Sequence, residues 1–173
     1  MKVSTRFRHA QRAHPSSLPL PPRVLVLSGV KECEGNERIK GYTDKGIVCW
    51  TGNDDQAHDA RYEAGATGVI SVTSNVVPGL MRELMHDGPN PELRDKLLPL
   101  MNWLFKEPNP IGLNTVLSML ECCEPIFRLP YFPYDAELRA EGAAILKELG
   151  IEHTVGSRIL DLKDEDFTKL EEW

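Results

Sequence analysis

"RVLVLSGVKECEGNERIKGYTDKGIVCWTGNDD", Arg23 to Asp55, sets an apolar run, a polar stretch bounded by glycines and a second short apolar run in succession. Val24 to Leu27 with Val30 form the continuous apolar run expected of a parallel strand covered on both faces. "GNERIKGYTDKG" is long enough for a short crossover helix, and "IVCW" reads as a second strand. Gly52 and Asn53 then turn the chain, and Asp54 or Asp55 is placed to cap a helix over "DDQAHDARYEAG" that stops at Gly65. "TGVISVTSN" reads as a third strand, after which Asn75 and Pro78 open a helix through "PGLMRELMHDG". Three strand-helix units in a row predict an α/β fold with a parallel sheet, either doubly wound or a barrel.

After Pro89 the pattern is wholly helical. Leu93, Leu97, Leu100 and Leu104 make one stripe, and Asn109 followed by Pro110 reads as a cap with proline at the first helical position. "DAELRAEGAAILKELG" is a further amphipathic helix stopped by Gly150, and the acidic "LDLKDEDFTKLEEW" is expected to lie loosely on the surface. A (β/α)8 barrel takes about 250 residues, so the pattern reads as the last three strand-helix units of such a barrel followed by a C-terminal helical domain, with the N-terminal part of the barrel missing. The expected divisions are 1–22, a basic leader or unrelated segment; 23–88, the partial barrel; and 89–173, the helical region with its acidic tail.

The 173 residues are 41% hydrophobic and 27% charged, ordinary for a globular protein. A net charge of -6 argues against nucleic acid as the main partner, since phosphate neutralisation needs a basic face. No apolar run approaches the roughly 20 residues of a membrane helix. Cys33, Cys49, Cys122 and Cys123 contain no CxxC spacing, and the adjacent pair suits neither a zinc knuckle nor an ordinary disulfide. They read as reduced, mostly core thiols of an intracellular protein. The opening stretch is cationic and free of acids before Glu32, as in an organelle transit peptide or a disordered basic leader, and Pro15, Pro19, Pro21 and Pro22 stiffen the link into the first strand.

Lys31, at the end of the first strand, has two readings. It is a snorkelling or ion-paired lysine, or an amine whose desolvation favours the neutral, nucleophilic form that condenses with a ketone. In a parallel sheet Lys31, Gly52 and the Ile70–Thr73 region end on one face, where barrels build active sites. Gly52 permits close approach of a ligand, and amides near Ile70 are expected to donate to a small carboxylate. His58 is expected to form a solvated pair with Asp54, and His9, His14, His86 and His153 to lie on the surface. No metal is assigned.

"GVKE" (29–32), "GND" (52–54), "GATGVISVTSNVVPGLM" (65–81), "EPNPIGLNT" (107–115) and "FRLPY" (127–131) together resemble dihydrodipicolinate synthase. "ERIKGYTDKGI" and "LDLKDEDF" look like its plant branch, and neuraminate lyase fits less well. The resemblance implies a lyase without a cofactor that condenses pyruvate with L-aspartate 4-semialdehyde in lysine biosynthesis, in the chloroplast, as a homo-oligomer that is a tetramer in the family. Carried over by position, Lys31 is the Schiff-base lysine, the backbone of Ile70 contacts pyruvate, and Gly52 lines the same pocket. Nothing in residues 1–28 resembles the threonine pair, the relay tyrosine or the feedback site that the family carries before its lysine. The chain alone is therefore expected to be inactive. The alternative is a non-catalytic protein that assembles with the full-length enzyme.

Overall fold

The computed structural model describes residues 28–170. Val24 to Leu27 of the first predicted strand, the basic leader and the last three residues lie outside them. The first half alternates as predicted: β1 (Val30–Glu32), α1 (Asn36–Thr43), β2 (Cys49–Thr51), α2 (Ala57–Tyr62) and β3 (Gly68–Val69). The strands are parallel in the order β1-β2-β3, with Lys31 opposite Trp50 and Trp50 opposite Gly68. Backbone bonds from Gly52 N to Glu32 O (2.8 Å) and from Ile70 N to Thr51 O (2.9 Å) carry the ladder one residue past β2 and β3.

Side chains alternate across a strand, so the register sorts the sheet into two faces. Val30 and Cys49 face α1 and α2, where they pack with Ile39, Ala60, Ala64 and Ala66. Lys31, Trp50 and Gly68 share the opposite face. There Lys31 is exposed and Trp50 is half-buried, so the first strand is not covered on both faces among the described residues. Trp50 lies close over the strands: a Cβ at Gly29 would meet its Cη2 at 2.9 Å, and one at Gly68 its Cδ1 at 3.4 Å.

The second half is built from α3 (Pro78–His86), α4 (Pro91–Leu104), α5 (Ile111–Met119) and α6 (Ala136–Leu149). The stripe Leu93, Leu97, Leu100 and Leu104 is buried in one cluster running from Val76 to Leu149, so the core continues across Gly88 and Pro89. The Asn90 side chain accepts from Leu93 N (3.0 Å) and the Asp135 side chain from Leu138 N (2.9 Å), capping α4 and α6. Gly150, at φ 98°, ends α6. Trp103 meets Tyr134 edge-on at 5.0 Å, and its indole N–H donates to Leu138 O (2.8 Å) across α4 and α6.

Three expectations fail here. The region after Pro89 is not wholly helical, because β4 (Ile126–Arg128) pairs in parallel with β5 (Thr168–Leu170). Nor does the described part of the acidic tail lie loosely. Phe167 is buried against Phe127, Arg139 stacks on it at 5.2 Å, and the Arg139 guanidinium donates to Tyr134 O (2.5 Å) and Asp164 Oδ1 (2.7 Å). Pairing with a strand about forty positions away carries no local periodicity, which is why the alternation rule misses it. Asn109 does not cap α5 either, since that helix begins after Pro110.

Candidate functional site

Lys31, Gly52 and Ile70 all emerge at the C-terminal end of the three-stranded sheet. Lys31 and Gly52 touch there. A Cβ built on Gly52 would fall 2.5 Å from Lys31 Cε and 3.4 Å from its Nζ, and would also collide with Cys33 Sγ. Only glycine leaves the lysine its present course. Ile70 stands one residue past β3, on the Lys31 face by alternation and 38% exposed.

Glu32 does not neutralise this lysine. Its side chain lies on the other face, nearly buried, where Oε1 accepts from Cys33 N (2.9 Å) and Glu34 N (2.8 Å) and Oε2 takes Arg38 Nε (3.0 Å). Arg38 is held more firmly protonated by its bond to Tyr42 and by the Glu32 charge. Lys31 has no ion-pair partner among the described residues.

Asp54 departs from its predicted role. Instead of capping α2, its Oδ2 reaches the loop after β3 and accepts from Val72 N (3.0 Å), Thr73 N (2.7 Å) and Thr73 Oγ1 (2.7 Å). Two of the amides expected near Ile70 to hold a ligand carboxylate are therefore occupied by a carboxylate of the chain itself, and the Ile70 amide is spent on Thr51. This bridge ties the loop that carries Gly52 to the loop that follows Ile70. Asp54 is 2% exposed, and its Oδ1 has no partner among the described residues. It also lines a cavity of about 260 Å³, bounded by Gly52 and Asp55 on one side and by Met101, Asn102 and Phe105 of the α4 end on the other. The α4 residues were not legible as part of the site, because nothing local ties position 102 to position 52.

His58 is also not the solvated partner of Asp54. It is 4% exposed, accepts from Asn90 N at Nε2 (3.1 Å) and meets Asp59 Oδ1 through Nδ1 (2.7 Å), which fixes the proton on Nδ1. Arg94 joins the same carboxylate (3.2 Å), so this cluster fastens α2 to the start of α4. The cysteines are not mostly core thiols: only Cys49 is buried, while Cys33, Cys122 and Cys123 are exposed, all four being free. Among the described residues no helix is long and apolar enough to cross a membrane.

Comparison with known proteins places this geometry in context. The sequence model of the dihydrodipicolinate synthetase family matches residues 23–149. The chloroplastic 4-hydroxy-tetrahydrodipicolinate synthase of Glycine max is 57% identical over 154 residues, covering 85% of this chain and 46% of that protein. The corresponding Arabidopsis thaliana synthase 1 is 56% identical over 154 residues, 85% of this chain and 42% of its own length. Among solved structures, dihydrodipicolinate synthase from Thermotoga maritima superposes with a TM-score of 0.66 at 34% identity, covering 71% of this chain and 46% of that one. The Acinetobacter baumannii enzyme, solved with pyruvate, gives 0.66 at 29% identity over 71% of this chain and 45% of that one. The chain thus spans less than half the length of the relatives it matches. On these matches, which cover most of its length, the chain belongs to the dihydrodipicolinate synthetase family.

Proposed function

We propose that this chain carries the Schiff-base strand of a chloroplast 4-hydroxy-tetrahydrodipicolinate synthase, which condenses pyruvate with L-aspartate 4-semialdehyde in lysine biosynthesis. In this reading β1 to β3 are the last three strands of a (β/α)8 barrel, residues 23–88 are its partial barrel, and residues 89–173 are the mainly helical C-terminal region with its acidic tail. The neutral Lys31 amine adds to the pyruvate ketone, the resulting carbinolamine loses water to give the Schiff base, and loss of a proton from the pyruvate methyl gives an enamine whose carbon adds to the aldehyde. Gly52 and the Ile70 backbone border the bound pyruvate. The observation that carries the reading is the close approach of the Lys31 stem to Gly52, where a Cβ would stand 2.5 Å from Lys31 Cε and push the lysine aside.

The sheet face bearing Lys31 and Trp50 becomes the barrel interior once the remaining strands are present, and that enclosure supplies the desolvation an amine nucleophile needs. A proton relay commonly contributes about 10²- to 10⁴-fold in rate, so the 173-residue chain by itself is expected to be inactive. Activity belongs to the assembled barrel and its oligomer.

The test is borohydride reduction with pyruvate, on the chain mixed with the complementary half of a plant synthase, followed by peptide mass analysis. A pyruvyl adduct on Lys31 is expected, and K31A should lose it. An adduct on another lysine would overturn the assignment. A second reading, a non-catalytic assembly partner of the full-length enzyme, draws on β1 and β3, each of which pairs only with β2 among the described residues. Co-purification with intact synthase that persists in K31A, without any adduct on Lys31 in the mixture, would favour it.

A further inference from the structure

Cys122 and Cys123 take no part in the proposed chemistry, yet both thiols are exposed on one turn. The turn is firmly built. Cys122 N donates to Leu117 O (2.8 Å), Glu121 takes φ 57°, and the Glu121 carboxylate is clamped by the Arg158 guanidinium, with Nη2 to Oε1 at 2.6 Å. Cys122 Sγ lies 3.5 Å from Leu120 O and Cys123 Sγ 3.6 Å from Ser118 Oγ, contacts weak enough for both side chains to rotate away.

Adjacency decides what the pair can do. One trans peptide bond holds the two Cα atoms about 3.8 Å apart, short of the roughly 4.4–6.8 Å that an ordinary disulfide spans. No group of three or more His, Cys, Asp or Glu that could hold a metal ion occurs among the described residues, and Glu121 is already taken by Arg158, so a metal wanting three or four protein ligands is not served. What remains is a soft centre that asks for two sulfurs. We propose that Cys122 and Cys123 form a dithiol chelate for trivalent arsenicals. With an arsenoxide, two As–S bonds form, the As–O bonds break, and the oxygen leaves as water with both thiol protons; nothing is oxidised or reduced.

The probe is phenylarsine oxide, added to the intact chain and then challenged with excess monothiol, which strips arsenic from single thiols such as Cys33. Intact mass should show one phenylarsenic group per chain that survives the monothiol and is released by a dithiol. C122S and C123S should each abolish that resistant adduct, and C33S should retain it. The absence of a resistant adduct on the wild-type chain, or its persistence in C122S or C123S, would overturn the proposal. Circular dichroism of each variant keeps the comparison among folded chains.

Discussion

Replacing Asp54 by asparagine separates two roles that one carboxylate could have at this position. As a simple helix cap the change would be nearly neutral, because asparagine and aspartate cap about equally well. As the bridge between two loops, Oδ2 accepts three bonds, two from backbone amides and one from the Thr73 hydroxyl, at 2.7–3.0 Å. Bonds to a charged acceptor are worth about 1.5–3 kcal/mol and neutral ones about 0.5–1.5, so each loses about 1 kcal/mol on neutralisation and the three together about 3. The new amide nitrogen would also stand where Oδ1 has no partner, in a residue only 2% exposed. Urea unfolding followed by tryptophan fluorescence should therefore show D54N less stable by about 3 kcal/mol. T73V removes one of the three donors, so the double variant should show a coupling of about 1 kcal/mol with D54N. A D54N chain within about 0.5 kcal/mol of wild type, or strict additivity with T73V, would refute the bridge.

Further perturbations test other parts of the structure. G52A should leave stability within about 0.5 kcal/mol, since its Cβ meets only the ends of flexible side chains, yet displacing Lys31 should slow pyruvate trapping in the complemented enzyme by about 100-fold. Unchanged trapping would detach Gly52 from the lysine. G142A places a Cβ 2.6 Å from Trp103 Cε2, and a chemical melt should show a loss of about 1–3 kcal/mol despite the better helix propensity of alanine. The Asp59 carboxyl is held below the usual range by its bond to His58 and then by Arg94, so its contribution is present above pH about 4 and is lost as the pH falls through the folded-state value. D59N should flatten the stability–pH curve below pH about 4. Identical acid slopes would show that the carboxyl is not perturbed in solution. The effect should be modest, since Asp59 is 36% exposed.

Much of the chain's organisation was legible from local chemistry. Pro78 at its helix start, the stop at Gly150 and the leucine stripe of α4 all act within a turn or two of themselves. The parallel rhythm of β1 to β3 and the placing of Lys31, Gly52 and Ile70 at one sheet end follow from the same alternation. Asp54 was read as a cap because aspartate after a turn usually is one, whereas its actual partners lie 18 and 19 residues on. His58 was read as solvated because its own helix offers an acid nearby, whereas Asn90, 32 residues away, buries it.

By itself the sequence determined the order and kind of the main elements, the strand end that bears the lysine, and the family whose motifs it carries in order. Those properties are set by periodicity, capping and short motifs, which act between near neighbours. The tertiary structure alone decided that Glu32 binds Arg38 and leaves Lys31 without an ion-pair partner among the described residues, that Asp54 locks two site loops together, and that the end of α4 lines the cavity beside Gly52. It also decided that the acidic tail returns to pair with β4. These depend on which distant groups meet when the core collapses, and a buried polar group takes whichever partner the packed chain brings within reach.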